Sequence, residues 1–298
     1  MAAPVTADSL FDPEFLESLQ RLRLVAQRVP RGGRFAEQRS KALGTGLEFQ
    51  DYRPYSTGDD LRAIDWNIYR RLGRIFLRLF EELEDLPVYL MPDVSRSMWV
   101  EEDPRIKACL QSAMAFAAVA LAQHDRVGVF PFAEDLRTLV RPRSGWHSLP
   151  MFAQALSQVE EGQQTDLARS LKRLNGMQLR SGLVVIVSDF YDPAGVEQMV
   201  AALKTVRHRL LLVQLVRPSD RDPSLQGDLC LRDAETGLEQ NISITPQLLE
   251  KYREAYDAFA RGLTSFAEKR GIGLLQLDVE QGVVEQVAQL FEGGRYEA

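Results

Sequence analysis

Short apolar runs alternate with segments of helical spacing from Leu86 to the end of this 298-residue chain. One of these runs, Leu183–Ser188, is apolar at nearly every position, as is typical of a strand that helices cover on both faces. The alternation predicts one α/β domain at residues 86–298, with a doubly wound, mostly parallel sheet of the Rossmann type. Residues 1–85, a predicted helix followed by short strands, form an N-terminal appendage. Two strand-like segments predict a hairpin insertion near residues 225–245.

The first strand of this domain, Pro87–Pro92, runs directly into Asp93, and Ser95 and Ser97 follow at alternate positions. One carboxylate and two hydroxyls suit a hard divalent cation such as Mg²⁺ or Mn²⁺, because such ions take oxygen ligands and Mg²⁺ rarely takes more than one or two carboxylates. Serines in loops also cap helices or bond to their own backbone. The loop alone is therefore compatible with a metal site and with an ordinary turn.

Two further polar residues lie where the same edge of the sheet is predicted. Thr165 is in a polar loop before a helical pattern, and Asp189 directly follows the apolar strand Leu183–Ser188. In an open parallel sheet, the loops at the carboxyl ends of the strands converge on one crevice. We therefore expect five side chains to meet there, although they are far apart in sequence: Asp93, Ser95, Ser97, Thr165 and Asp189.

The charge of the chain argues against nucleic acid as the main partner. Lys and Arg number 36 against 42 Asp and Glu, which gives a formal net charge of −6, whereas nucleic-acid binding needs a basic surface. The basic segment Arg21–Lys41 is a local exception, either a solvated helix face or a docking patch for an anionic partner. No apolar run is long enough for membrane insertion and no signal-peptide pattern opens the sequence, so we expect a cytoplasmic protein.

The sequence lacks the usual signatures of hydrolases and nucleotide-binding enzymes. Its three histidines, His124, His147 and His208, have no metal-ligand spacing, and neither do the cysteines Cys109 and Cys230. No nucleophile elbow, phosphate-binding loop or dinucleotide fingerprint occurs. We therefore expect a protein that is not an enzyme.

The order Asp-x-Ser-x-Ser, then Thr, then Asp resembles the metal-ion-dependent adhesion site of von Willebrand factor A domains. The resemblance implies that Ser95 and Ser97 bind the cation directly, while Asp93 holds it partly through water. By the same resemblance, Thr165 joins when a ligand binds and Asp189 acts through water. Arg96, inside the loop, departs from the pattern and would repel the cation unless it points outward.

A second resemblance covers nearly the whole chain. It rests on the blocks Gly58-Asp59-Asp60, Ile64-Asp65-Trp66 and Phe80-Glu81-Glu82, on the Asp93 loop, and on Asp233-Ala234-Glu235-Thr236-Gly237. These blocks are similar to a bacterial family labelled "domain of unknown function fifty-eight", and the likeness implies a von Willebrand factor A-like fold and a MoxR-type AAA+ ATPase as partner.

Within the Gly58–Trp66 block, Trp66 is expected to be a core anchor of the appendage. Asp59 and Asp60 are expected to cap or to pair with nearby arginines. The alternative interpretation joins them with Asp65 in a catalytic carboxylate cluster.

These patterns favour a metal-dependent protein-binding adaptor or co-chaperone, in which Mg²⁺ captures an acidic side chain of a partner protein. Two alternatives stay open. A Mg²⁺-dependent phosphoester hydrolase would use the same crevice, although the loop lacks the second Asp of an Asp-x-Asp phosphatase pattern. A structural scaffold would keep the fold without the metal.

Overall fold

The computed structural model describes residues 10–28, 47–56, 64–82, 86–100 and 104–292. The chain divides into two compact units, one formed by residues 1–30 together with 86–298 and the other by residues 31–85. The strands are β1 Leu47–Pro54, β2 Phe76–Glu82, β3 Pro87–Pro92, β4 Arg126–Val129, β5 Val140–Arg143, β6 Leu183–Ser188, β7 Arg209–Val216, β8 Gly227–Arg232, β9 Glu239–Ile244 and β10 Gly273–Asp278. The helices are α1 Pro13–Arg28, α2 Trp66–Leu72, α3 Arg105–Ala122, α4 Leu149–Ser157, α5 Leu167–Gly176, α6 Val196–Leu203, α7 Pro218–Arg221, α8 Pro246–Arg270 and α9 Val283–Glu292.

A six-stranded sheet with the order β10-β7-β6-β3-β4-β5 is the centre of the larger unit. All neighbouring strands are parallel except the edge pair β4 and β5. Numbered by their sequence order within this sheet, the strands run 3-2-1-4-5-6, which is the Rossmann order. The predicted fold class, an α/β fold with a doubly wound and mostly parallel sheet, is confirmed.

The central strands β3 and β6 are apolar at nearly every position because the sheet has a hydrophobic core on each face. In β3, Val88 and Leu90 belong to the core that includes α1, α3, α4 and α9. Tyr89 and Met91 point to the opposite core, which α5, α6 and α8 complete. Successive side chains of a strand alternate between faces, so a strand covered on both sides needs apolar residues at every position.

The position of α1 corrects the predicted domain boundary. The sequence placed residues 1–85 in one appendage, but the described residues 10–28, which include α1, belong to the larger unit. Phe15, Leu19 and Leu22 are buried in the core that α3 also lines, and the Gln111 side chain of α3 donates a hydrogen bond to the carbonyl of Leu10. The apolar stripe of α1 was visible in the sequence, but a stripe does not specify which surface covers it.

The edge strand β5 begins at Val140, after an isolated bridge between Phe132 and Leu136. β5 contains Pro142, which a strand tolerates here because β5 is the edge of the sheet.

The smaller unit contains the antiparallel pair β1 and β2 and the short helix α2. Asp65 caps α2 by accepting hydrogen bonds from the backbone N–H groups of Asn67 and Ile68, at 2.8 and 3.1 Å. The expectation that Trp66 anchors a core is wrong, because Trp66 is the first residue of α2 and is 59% exposed. Asp59 and Asp60 lie outside the described residues.

Among the described helices, α3 alone is long and apolar enough by composition to cross a membrane, and 89% of it is buried inside the protein. Alanine and other small residues let it pack closely on the sheet, beneath β3 and β4. The hairpin predicted near residues 225–245 is formed by β8 and β9, which pair in antiparallel register from Gly227 opposite Ile244 to Arg232 opposite Glu239.

Candidate metal centre

Two aspartates follow neighbouring central strands at the point where the strand order reverses. Asp93 follows β3 and Asp189 follows β6, and these strands pair in parallel from Val88 opposite Leu183 to Pro92 opposite Val187. The chain passes from β3 to β4 on one side and reaches β6 on the other. Such a topological switch point opens a crevice outside the carboxyl ends of the strands, where open α/β sheets bind their ligands.

The Asp93 carboxylate is buried and held by two hydrogen bonds. Oδ1 accepts from the backbone N–H of Ser95 at 2.9 Å, and Oδ2 accepts from the Ser188 hydroxyl at 2.6 Å. Its own backbone N–H donates to the carbonyl of Val187 at 2.9 Å. Ser188, the last residue of β6, therefore orients Asp93, the first residue after β3, and fixes its carboxylate at the edge of the sheet.

The two serine hydroxyls of the loop lie side by side. Ser95 Oγ and Ser97 Oγ are 3.1 Å apart, Ser95 is buried and Ser97 is partly exposed. Loop serines that cap helices bond to backbone N–H groups. Ser95 precedes the short 3₁₀ segment Arg96–Trp99, but its side chain makes no capping hydrogen bond there. The two hydroxyls instead contact each other in the loop that follows β3.

Asp189 is the second buried carboxylate of the site. Burial of the Asp93 carboxylate and the negative charge of Asp189 raise the pKa of Asp93 to about 7. The hydrogen bonds from Ser188 and Ser95 lower this pKa, but by less. Oδ1 of Asp189 accepts a hydrogen bond from the backbone N–H of Tyr191 at 3.1 Å. Two carboxylates placed so closely repel each other, and a cation between them would relieve the repulsion.

The residue after Asp189 has an unusual backbone conformation. Phe190 is buried with φ at +63°, a left-handed value that bulky residues rarely adopt. Its backbone N–H donates to the Ser188 hydroxyl at 2.9 Å, so Ser188 accepts one hydrogen bond and donates another to Asp93. The strained turn thereby holds Ser188 and Asp189 beside Asp93, and strain of this kind is concentrated at functional sites.

The loop that carries Thr165 is attached to the Asp93 loop through the backbone. Gly162 N–H donates to the carbonyl of Val94 at 2.7 Å, and Arg96 N–H donates to that of Gln163 at 2.9 Å. A Cβ atom at Gly162 would lie 2.3 Å from the Cβ of Ala133, so only glycine allows this close approach. Thr165 itself is buried.

The Thr165 hydroxyl donates a hydrogen bond to the Glu235 carboxylate, at 2.8 Å from Oε1, and its backbone N–H donates to the same oxygen at 3.2 Å. Glu235 lies at the tip of the hairpin β8–β9, between Arg232 and Glu239. Sequence reasoning did not include Glu235 or Ser188 in the site. The only signal for Glu235 was its place in the block Asp233–Gly237, which carries the family resemblance. Ser188 also lies in a block of that resemblance, Ser188-Asp189-Phe190, but was interpreted only as the end of an otherwise apolar strand.

Arg96 points away from the carboxylates. Its side chain is exposed and forms an ion pair with Glu161, with Nε 3.5 Å from Oε1. The positive charge within the loop is therefore compensated outside the crevice.

The side chains gathered here fit a hard divalent cation. The candidate ligands are carboxylate and hydroxyl oxygens, the donors that Mg²⁺ and Mn²⁺ take. Among the described residues, no three His, Cys, Asp or Glu side chains form a group that could hold a metal ion by themselves, so a ligand set of the zinc type is absent from that part of the chain. Asp93 and Asp189 supply the negative charge, and hydroxyls supply the neutral ligands.

Some solved structures are similar to this chain at low identity. BatB from Bacteroides thetaiotaomicron has 16% identity and a TM-score of 0.40, over 70% of this chain and 98% of that one. The ArnB paralog VWA2 from Sulfolobus acidocaldarius has 17% identity and a TM-score of 0.35, over 47% of this chain and 38% of that one. Because these scores are low, the fold assignment rests on the strand order given above.

Curated relatives align over more of the sequence. The "Uncharacterized protein Rv1480" of Mycobacterium tuberculosis (strain ATCC 25618 / H37Rv) is 26% identical over 293 residues, which is 95% of this chain and 91% of that protein. The "Uncharacterized protein MAV169" of Mycobacterium avium is 26% identical over 161 residues, 53% of this chain and 95% of that protein. A family model described as "Protein of unknown function DUF58" matches residues 51–262, well over half of the sequence, and the chain therefore belongs to this family.

Proposed function

We propose that this protein is a metal-dependent protein-binding adaptor. In this proposal Mg²⁺ or Mn²⁺ binds at the switch point, and the ligands are Asp93, Ser95, Ser97, Thr165 and Asp189. The observation that supports it most is the buried Asp93 carboxylate, fixed by Ser188 beside a second carboxylate and two adjacent hydroxyls. Two buried carboxylates that repel each other destabilise the fold, and an ordinary turn does not require them.

The ligand chemistry favours capture of an acidic partner. Neutral hydroxyls donate little charge, so a bound dication would remain electrophilic and attract the carboxylate of an incoming Asp or Glu. Ser188 and the Phe190 turn would hold the aspartates in place, which lowers the cost of ordering the site when the partner binds. The exposed rim around Ser97 and Arg96 would receive the partner chain.

We further propose a MoxR-type AAA+ ATPase as the partner, in the cytoplasm. The support is the family membership, together with the partner that the sequence resemblance implies. The net charge of −6 agrees with a protein partner and not with nucleic acid.

The test combines calorimetry with a binding assay. Mg²⁺ is titrated into the wild type and into Asp93→Ala, with Asp228→Ala as the matched control because Asp228 is exposed on β8. A purified MoxR-type ATPase is then captured on each immobilised protein, with Mg²⁺ or with excess chelator. We expect metal-dependent heat and capture in the wild type and the control, and neither in Asp93→Ala. Equal capture in chelator, or unchanged heat in Asp93→Ala, would contradict the proposal.

A further inference from the structure

The contact between Thr165 and the hairpin β8–β9 places an acidic side chain, Glu235, against one of the proposed ligands of the cation. Both donors of Thr165, the hydroxyl and the backbone N–H, bond to one oxygen of Glu235, namely Oε1. The other oxygen, Oε2, is shielded from solvent and has no hydrogen-bond partner among the described residues. A carboxylate oxygen in this situation is costly, because a buried charge needs a compensating partner.

Ion pairing with a basic residue does not explain why Oε2 of Glu235 is shielded from solvent. In the part of the chain that the structure describes, no Lys or Arg forms an ion pair with this carboxylate. The nearest identified partner is Thr165, a proposed ligand of the cation. A divalent cation at the centre would supply the positive charge that Oε2 lacks.

The hairpin tip is built to present Glu235 in one conformation. Oδ1 of Asp233 accepts three hydrogen bonds, from the backbone N–H groups of Glu235 and Thr236 and from the Thr236 hydroxyl. Gly237, with φ at +72°, closes the turn through a hydrogen bond from its N–H to the carbonyl of Asp233. A preorganised turn loses little conformational entropy when its side chain binds a cation. The fixed geometry of the tip therefore favours a role for Glu235 as a ligand.

We propose that Glu235 is an internal acidic ligand of the metal centre and occupies the position that a partner's carboxylate takes. This inference rests on the proposed function, since it assumes a cation held by the Asp93 loop. The hairpin then acts as a built-in competitor. A partner's Asp or Glu must displace Glu235 from the cation, and movement of the hairpin tip away from Thr165 opens the centre.

The test uses Mn²⁺ as the probe, with the full chain and three forms of the protein. These are the wild type, Glu235→Gln, and Glu239→Gln as the matched control on the same hairpin. Glutamine keeps the acceptor for Thr165 but loses the charge. Mn²⁺ affinity is measured by electron paramagnetic resonance, and the water bound to the ion by solvent proton relaxation. Acetate is then added as a model carboxylate.

We expect Glu235→Gln to bind Mn²⁺ about 10- to 100-fold more weakly than the wild type, the range seen when a supporting group of a metal site is removed. It should also show higher relaxivity, because water replaces the lost carboxylate. Acetate should lower that relaxivity in Glu235→Gln but have little effect in the wild type or in Glu239→Gln.

The outcomes separate this inference from the proposed function. If the wild type binds Mn²⁺ and Glu235→Gln matches it in affinity, relaxivity and acetate response, the internal ligand is ruled out while the metal centre stands. If the wild type itself binds no Mn²⁺, the metal centre and the internal ligand are both wrong.

Discussion

Replacing Asp93 with Asn should stabilise the metal-free protein, although Asp93 is central to the site. Burial and the charge of Asp189 raise the pKa of Asp93 from 3.8 to about 7. A tenfold change in proton affinity corresponds to about 1.4 kcal/mol, so keeping this carboxylate ionised costs the folded state about 4 kcal/mol above pH 7. Asn removes the charge at almost the same volume.

Part of this gain is lost through hydrogen bonding. The Asn side chain can place its oxygen where Oδ1 accepts from Ser95 N–H, but its NH₂ group then faces the Ser188 hydroxyl, which donates to Oδ2 in the wild type. Disturbing one such buried hydrogen bond costs about 1–2 kcal/mol. We therefore expect Asp93→Asn to increase the free energy of unfolding by about 2–3 kcal/mol at pH 8 in chelator, measured by urea denaturation.

The pH dependence gives the sign of the effect independently. The native state binds the Asp93 proton more tightly than the unfolded state does, so this group makes the metal-free wild type more stable as the pH falls from about 7 toward 3.8. Its penalty of about 4 kcal/mol at pH 8 falls to about 2 kcal/mol at pH 5. The advantage of Asp93→Asn over the wild type should shrink accordingly. An Asn variant that is less stable than the wild type at pH 8, or an advantage that does not change with pH, would refute the electrostatic reasoning.

Two further substitutions test the supports of the site and the placement of α1. Ser188→Ala removes the hydroxyl that donates to Asp93 and accepts from Phe190 N–H. It should weaken Mg²⁺ binding about tenfold or more in calorimetry. An unchanged affinity would mean that Ser188 does not position the Asp93 carboxylate. Leu19→Ala leaves a cavity at a fully buried position of α1 and should lower the free energy of unfolding by about 2–5 kcal/mol. Leu24 is 58% exposed on the same helix, so Leu24→Ala should change the free energy of unfolding little. Equal effects of the two variants in urea denaturation would contradict the packing of α1 on the core.

The sequence was sufficient to predict the sheet and the place of the two aspartates. β3 and β6 are apolar on both faces, and that pattern alone indicates central parallel strands. Because the carboxyl ends of parallel strands share one edge, Asp93 and Asp189 were expected together, and the structure places them after neighbouring strands. The local hydrophobic pattern and the geometry of parallel sheets are therefore enough to predict the central strands and the shared edge of Asp93 and Asp189. No contact between segments distant in sequence has to be known.

Contacts between distant segments could not be predicted in this way. Glu235 contacts Thr165 from the tip of the hairpin β8–β9, and a hairpin pattern in the sequence does not show what the tip will contact. The hydrogen bond from Ser188 to Asp93 depends on the register of β3 against β6. Pro92 pairs with Val187, so the next residues of the two segments, Asp93 and Ser188, lie side by side. Trp66 was misjudged because residue type suggests burial, while its position as the first residue of a short capped helix leaves it exposed.

The most direct test of the metal centre is a crystal structure of the full chain grown with Mn²⁺, with diffraction data that locate the ion by its anomalous signal. We predict one peak in the crevice after β3 and β6, in contact with oxygens of Ser95 and Ser97 and beside Asp93. A peak at another place, or no peak at millimolar Mn²⁺ in a well-ordered crystal, would contradict this prediction.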